Sequence, residues 1–156
     1  MPEAQAELGD DVKKVAAFLF AAAPAIALLT ATPASAVDGP WNPYTGTNSN
    51  WHCGATVTIR QGVQAQSCIV VSGTSYQGAT IINLASATTV AGSTRTWEAG
   101  NETFPSKECN VETRPAGRSV CFNATRAGAS GHAVQAKSFV ADDIAWKEWT
   151  SPTVVL

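Results

Sequence analysis

Residues Trp51–Val71 read WHCGATVTIRQGVQAQSCIVV, and this stretch decides which kind of fold to expect. Two runs in which apolar and polar residues alternate flank a turn at Gln61–Gly62, a pattern typical of two β-strands. Cys53 and Cys68 lie within these runs as a candidate disulfide pair. The stretch therefore predicts a small β domain stapled by disulfides.

The cysteines and the alternation disagree about how these two runs pair. If Val57 lies opposite Ala65, then Cys53 and Cys68 fall on opposite faces of the sheet, because side chains alternate along a strand. Either a bulge shifts the register between the two pairs, or the runs belong to different sheets and the disulfide crosses between them. The sequence leaves both alternatives open.

An apolar run, Val15–Leu29, follows two lysines near the start of the 156-residue chain and leads to Ala34-Ser35-Ala36. A basic flank, a short apolar segment and an A-x-A site are typical of a secretory signal peptide. We therefore predict that residues 1–36 are a signal peptide and that the protein is secreted and extracellular. The residues before Val12 are acidic, which disfavours export, so we expect translation to start at Val12.

All four cysteines follow the predicted cleavage site. An even number of cysteines in a secreted chain predicts two disulfides, although spacing alone does not give their connectivity. We favour Cys53–Cys68 and Cys109–Cys121, because each closes a local loop worth about 3 kcal/mol. The rival interpretation is a zinc site, which needs close ligand pairs such as C-x-x-C. The sequence has no such pair, so we expect no metal and no cofactor.

Residues 37–156 carry eight acidic and eight basic side chains, so the predicted mature chain has no net charge. Proteins bind nucleic acids and anionic membranes largely through positive charge. We therefore expect no nucleic-acid binding and no stable membrane association after signal cleavage. A neutral chain also associates with other proteins without long-range repulsion.

Strand-like segments recur along the rest of the chain. Residues 79–85, ATIINLA, are apolar on both faces, which favours a central strand. Gly92 is expected to break a strand, residues 99–111 are expected to be irregular, and residues 144–149 suit a strand better than a helix. The predicted strands are residues 55–60, 64–71, 79–85, 88–97, 119–125, 132–140 and 144–149. About seven short strands predict an all-β fold, an antiparallel immunoglobulin-like sandwich.

The titratable residues form no recognisable catalytic motif. His52 and His132 stand in no hydrolase or metalloprotease pattern, so we expect both on the surface. Asp142–Asp143 offers too few oxygen ligands for calcium, and a solvated turn is the better interpretation. Four glutamates between residues 98 and 112 are expected to solvate a loop rather than to form a glycosidase pair. The sequence therefore favours a non-enzymatic protein.

Residues 37–50, VDGPWNPYTGTNSN, predict an extended N-terminal arm ahead of a domain at residues 51–156. The arm has two possible roles. It folds back and covers an edge of the core, or it docks into a partner by strand addition. In the second case, deletion of residues 37–50 leaves the fold intact and abolishes partner binding.

Five tryptophans are the marked excess in the composition. Trp97 is expected in the core. The aromatic residues near the two termini are candidates for one shared patch, and they are Trp41, Tyr44, Trp51, Trp146 and Trp149. Such a patch either seals the end of the sandwich, stacks on a sugar or docks on another protein.

Four groups of residues resemble small secreted proteins of filamentous actinobacteria. The groups are Ala34-Ser35-Ala36; Gln66-Ser67-Cys68 running into Ile69-Val70-Val71; Pro115-Ala116-Gly117 ahead of Val120-Cys121-Phe122; and Trp149-Thr150-Ser151-Pro152. In size and cysteine count the chain is also similar to the secreted subtilisin inhibitors, whose disulfide spacing and reactive loop it lacks. It is similar in design to the small adaptor subunit of umbrella-shaped secreted toxin particles. That resemblance implies a disulfide-stapled β domain whose arm, here residues 37–50, joins two larger subunits.

The sequence thus favours a non-enzymatic extracellular binding or adaptor protein that docks on other secreted proteins through its arm and aromatic patch. A carbohydrate- or cell-wall-binding module, with a glycan as ligand, is the first alternative. A secreted protease inhibitor is the second, with Arg114–Arg118 as an exposed loop that a Cys109–Cys121 bridge would clamp.

Overall fold

The computed structural model of the chain describes residues 39–156. The predicted signal peptide, residues 1–36, lies outside the described residues. Every regular element in the described part is a β-strand. The strands are β1 (Asn42–Pro43), β2 (Trp51–Cys53), β3 (Val57–Arg60), β4 (Val63–Ser72), β5 (Ser75–Leu84), β6 (Thr88–Glu98), β7 (Asn101–Arg114), β8 (Gly117–Phe122), β9 (Arg126–Ala127), β10 (Ala133–Ala141), β11 (Trp146–Thr150) and β12 (Val154–Val155).

The strands form two antiparallel sheets, which confirms the predicted all-β antiparallel sandwich. Sheet 1 has seven strands in the order β1-β8-β5-β4-β2, with β3 also paired to β4 and β9 to β5. Sheet 2 has five strands in the order β11-β10-β6-β7, with β12 also paired to β10. The more specific immunoglobulin-like assignment stays a prediction.

Residues 39–156 form twelve strands, more than the predicted number of about seven. The strands absent from the prediction are the long β7 and four short ones, of which β1, β9 and β12 have two residues each. Two residues cannot show an alternating pattern, because the period of a strand is itself two residues. Such short strands form because a neighbouring strand offers free backbone groups for pairing, so their own sequence does not predict them.

The pairing conflict in Trp51–Val71 is resolved by a register shift within one sheet. Cys53 lies opposite Cys68, and Val57 lies opposite Ala65. Between these two pairs, the segment from Cys53 to Val57 is one residue longer than the facing segment from Ala65 to Cys68, as in a β-bulge. The Cys53–Cys68 disulfide therefore joins neighbouring strands of sheet 1, and the alternative in which it crosses between sheets is wrong.

The second predicted disulfide, Cys109–Cys121, is also confirmed. Cys109 belongs to β7 in sheet 2 and Cys121 to β8 in sheet 1, so this bond crosses the sandwich. Both cysteines are buried in the core. The two disulfides thus have different roles, because one fixes a strand pair and the other holds the two sheets together.

The interior between the sheets has an apolar cluster at each end and a polar layer between them. One cluster contains Trp41, Ile59, Val63, Ile82, Leu84, Val90 and Val140. The other contains Ile69, Tyr76, Val134 and Ala136. A third cluster of Cys68, Ala79, Ile81 and Val120 lies on the outer face of sheet 1, with Tyr44, Trp51 and Phe122 packed against it.

The polar layer consists of one hydroxyl from each of the four central strands. Its residues, all buried, are Ser67, Thr80, Thr94 and Ser138. The Thr80 hydroxyl lies 2.7 Å from that of Thr94 and donates to Ser138 over 2.6 Å, and Ser138 donates to Ser67 over 2.8 Å. Because these hydroxyls satisfy one another, the layer avoids the penalty of unpaired polar groups in the core.

Two expectations about sheet 2 are wrong. Residues 101–111 of the segment expected to be irregular form most of β7, the longest of the described strands. An edge strand buries so few side chains that its sequence stays polar and resembles a loop. Gly92 does not break β6, which is continuous through it. A Cβ at Gly92 would lie 3.0 Å from Cζ2 of Trp41, so the glycine makes room for the indole ring.

The described start of the predicted arm folds back onto the core. The Gly39 amide donates to the Glu108 carbonyl and the Gly39 carbonyl accepts from Asn110, both over 2.9 Å. Trp41 is only 2% exposed, and its indole N–H donates to the Asn110 carbonyl over 3.0 Å. Residues 39–43 therefore contact both sheets, since β1 pairs with β8 of sheet 1.

Candidate functional site

The outer face of sheet 2 carries an exposed apolar surface at one end. Ala141 of β10 lies opposite Ala91 of β6 on one side and Trp146 of β11 on the other, so the three side chains form a row. Phe139, two residues earlier on the same face, has its ring centroid 6.0 Å from that of Trp146. This surface, called the Trp146 patch, comprises Ala91, Val111, Phe139, Ala141, Ile144 and Trp146.

Three large side chains of the Trp146 patch are mostly exposed to solvent. Val111 is 74% exposed, Ile144 is 75% exposed and Trp146 is 68% exposed. A shallow depression of about 380 Å³ lies between Phe139 and Trp146, and a second one of about 270 Å³ lies between Phe139 and Val111. Since Phe139 lines both depressions, the exposed apolar surface is continuous across the sheet.

The turn between β10 and β11 holds the patch in shape. Asp142 Oδ1 accepts hydrogen bonds from the backbone amides of Ile144 (2.9 Å) and Ala145 (2.8 Å), and Oδ2 accepts from Arg60 Nε. Burial alone would raise the pKa of Asp142, but these hydrogen bonds and the Arg60 charge outweigh it, and the pKa falls below its ordinary value. Ile144 is thereby presented outward on an ordered turn.

Two acidic residues lie at the border of the Trp146 patch. Glu108 and Asp143 line its two depressions, and neither forms an ion pair with any residue between 39 and 156. Every acidic side chain of the described chain belongs to a strand of sheet 2 or to its β10–β11 turn. The zero net charge inferred from the sequence therefore conceals an uneven distribution, with the acids confined to one sheet.

The five predicted aromatic residues do not form one patch. Trp41 is in the core, and Trp149 is half-buried against the same apolar cluster. Tyr44 and Trp51 pack edge to face on the outer side of sheet 1, with ring centroids 6.5 Å apart. Only Trp146 projects from sheet 2. The prediction of a shared patch is wrong because Trp41 and Trp149 pack against the core between the sheets, Tyr44 and Trp51 lie outside sheet 1, and Trp146 lies outside sheet 2.

Two further expectations about tryptophans have separate outcomes. Trp97 is half-buried, lines a surface depression with Gly100, and belongs to none of the core clusters, so its predicted core position is wrong. It lies opposite Gln135 on the outer face of sheet 2. Trp41 and Trp149 pack against the core, which agrees with the alternative in which aromatic residues seal the end of the sandwich.

The histidines are peripheral to the Trp146 patch. His132 is exposed, as expected, and its Nδ1 lies 2.9 Å from Glu98 Oε1. Glu98 also accepts from the Ala129 amide (2.8 Å) and the Tyr76 hydroxyl (3.1 Å), and these hydrogen bonds hold its pKa below the ordinary value. His52 is half-buried in β2 rather than exposed. Through its contacts with Ala129 and His132, Glu98 holds the loop before β10 against the end of β6.

Of the side chains in the patch, Trp146 was predicted from the sequence, whereas Val111, Phe139 and Ile144 were not. A signal existed for Phe139, because the alternation that assigns Val134, Ala136 and Val140 to the core assigns Phe139 to the opposite face. No local signal existed for Val111, whose position beside Phe139 depends on the order of the strands in sheet 2.

Within residues 39–156 there is no cluster of potential ligands that could hold a metal ion, and no helix long and apolar enough to cross a membrane. Comparison with protein-family models, curated proteins and solved structures finds no match to this chain.

Proposed function

We propose that this chain is a non-enzymatic extracellular binding protein that docks on another protein through the Trp146 patch. The main observation is that Phe139 lines one depression with the exposed Ile144 and Trp146 and a second depression with the exposed Val111. Contiguous exposed apolar surface on a small domain indicates an interaction site. Tryptophan is also enriched among the residues that dominate binding energy.

The charges around the patch support a particular kind of partner. Glu108 and Asp143 leave the rim of the patch acidic, so a partner with an apolar recess bordered by lysine or arginine complements it. Nucleic acids and anionic membrane surfaces are repelled by the same rim. The two disulfides are typical of extracellular proteins, and they support the proposed secretion.

The adaptor role implied by the resemblance needs a free arm, and the described residues give it little support. Residues 39–43 are part of the sandwich, so they are occupied within the domain. We therefore base the proposed function on the Trp146 patch rather than on the arm.

The two alternatives have weaker support. A sugar platform built from Trp146 and Trp149 needs both rings on one surface, but Trp149 packs against the core and its indole nitrogen is buried. The Arg114–Arg118 segment, proposed as an inhibitory loop, is the tight turn between β7 and β8, with Arg114 Nε bonded to the Ser119 hydroxyl. An extended loop suits a protease cleft better than such a turn.

The test is affinity capture from the native culture supernatant with tagged residues 37–156. Three baits are compared: the unchanged protein, Trp146→Ala and Phe104→Ala. Phe104 is a matched control because it is 65% exposed on the same sheet but outside the patch. We expect a stoichiometric secreted protein with the first and third baits and its loss with Trp146→Ala. Equal recovery with all three baits, or recovery of the bait alone, would contradict the proposal.

A further inference from the structure

A second surface feature lies on the outer face of sheet 1, away from the Trp146 patch. Gln64, Asn83 and Arg118 form one row, because Asn83 of β5 lies opposite Gln64 of β4 and opposite Arg118 of β8. Gln66 and Ile81 form the next row. Together with Tyr44, these side chains line a depression of about 80 Å³, called the Arg118 depression.

The Arg118 depression has an apolar floor and a wall with free hydrogen-bonding capacity. Ile81, which is buried, forms the floor. The Arg118 guanidinium lies 5.7 Å from the centroid of the Tyr44 ring, and its side chain makes no hydrogen bond or ion pair with the described residues. Gln64 and Asn83 share a single long contact of 3.4 Å. Each of these groups therefore keeps donors that a ligand can use.

The charge distribution sets Arg118 apart from the other cations of sheet 1. Arg60 is paired with Asp142, and Arg126 Nη2 donates to the Pro105 carbonyl over 2.7 Å. Arg118 lacks such a partner among residues 39–156, and none of the described strands of sheet 1 carries an acidic residue. A carboxylate supplied by a ligand would meet a guanidinium with no competing acid beside it.

We propose that the Arg118 depression binds the carboxylate of an acidic sugar residue in a polysaccharide. Arg118 holds the carboxylate, and the amides of Gln64 and Asn83 bond the neighbouring hydroxyls. Side-chain amides both donate and accept, as hydroxyl groups do, so they match a sugar better than a simple anion. The volume of about 80 Å³ admits part of one sugar ring, which leaves the rest of the chain to lie along the sheet.

The proposal is tested with isotopically labelled residues 37–156 by two-dimensional NMR titration. The probe is trigalacturonate, and the matched neutral probe is galactotriose with the same linkages. We expect amide shifts at Gln64, Asn83 and Arg118 with trigalacturonate and binding weaker by about tenfold or more with galactotriose. Absence of shifts at these residues with trigalacturonate at millimolar concentrations would overturn the proposal.

Two variants and one further ligand sharpen the test. Arg118→Gln removes the charge but keeps a polar side chain of similar length, and Asn83→Ala provides a second variant should the first fail to fold. Both are expected to weaken trigalacturonate binding by about tenfold or more. Arg95→Gln, at an exposed arginine of sheet 2, is the control and keeps full binding. Acetate that binds as tightly as trigalacturonate would overturn the assignment of a sugar ligand.

Discussion

The Thr80 hydroxyl joins two other hydroxyls at the centre of the sandwich, bonding Thr94 at 2.7 Å and Ser138 at 2.6 Å. A methyl in its place keeps the volume but leaves these groups with one partner fewer in a buried site. We therefore expect Thr80→Val to lower the free energy of unfolding by about 1–3 kcal/mol, measured by urea denaturation. When Ser138 has already been replaced by alanine, Thr80→Val should lower the free energy of unfolding by less, because only Thr94 then loses a hydrogen-bond partner. Losses that simply add would show that the hydroxyls act independently.

Two carboxylates make the stability of the fold depend on pH. Hydrogen bonds hold the pKa values of Glu98 and Asp142 below their ordinary values. As the pH falls below about 5, the unfolded chain takes up protons before the folded chain does, so stability decreases. The contribution of these two carboxylates to stability should be fully present above the ordinary carboxyl pKa. It should be lost as the pH falls through the lowered pKa values of the folded protein.

Asp142→Asn and Glu98→Gln should each flatten this acid dependence of the urea midpoint. Asp143→Asn, at the exposed neighbouring position, is the control for Asp142→Asn. An unchanged slope in both test variants would show that these hydrogen bonds do not stabilise the fold.

At the scale of elements, the N-terminal segment behaves as part of the sandwich. Trp41 fills the space left by Gly92 and packs in the core. Trp41→Ala should therefore lower the free energy of unfolding by about 3–5 kcal/mol. Trp146→Ala, at an exposed position, should change it by less than about 0.5 kcal/mol. Equal losses in the two variants, measured by thermal and urea denaturation, would contradict the assignment of Trp41 to the core.

The same packing changes the expected outcome of deleting residues 37–50. The sequence alone suggested that this deletion leaves the fold intact, but it removes Trp41 from the core and β1 from sheet 1. The deletion therefore tests folding rather than partner binding. Point substitutions in the Trp146 patch are the cleaner test of binding.

The elements that could be predicted from the sequence are those whose own residues show a strand pattern. The segment from Val57 to Val71 alternates between apolar and polar residues, and the run in β5 is apolar on both faces. The local pairing of the cysteines was favoured because each bond closes a short loop. Strand β7 was missed because its burial is too slight to leave a pattern. The hydroxyl layer was missed because Ser67, Thr80, Thr94 and Ser138 come together only once the order of four strands is known.

The candidate site was predictable only in part, for the same reason. Trp146 stood out as one of five tryptophans, but nothing near it in the sequence separates it from Trp149. Strand register separates them, since Trp149 lies opposite the buried Ser138 and Trp146 opposite Ala141 on the outer face. The Arg118 depression likewise depends on the order of three strands.

At the scale of the whole molecule, the two sheets present chemically different outer faces. Sheet 2 carries the acids of residues 39–156 and the Trp146 patch, whereas sheet 1 carries amides, aromatic rings and Arg118, which forms no ion pair within those residues. With these faces on different sheets, a protein partner at the first face and an acidic polysaccharide at the second do not compete for the same residues. Arg118→Gln should accordingly leave capture of the protein partner unchanged.

The proposed function depends on the Trp146 patch as the docking surface. The most direct test is the equilibrium dissociation constant of the captured partner for the unchanged protein, Trp146→Ala and Phe104→Ala, with unfolding measured in parallel. We predict that Trp146→Ala weakens binding by roughly thirtyfold or more while Phe104→Ala does not, both variants remaining folded. A folded Trp146→Ala variant that binds the partner as tightly as the unchanged protein would contradict the claim.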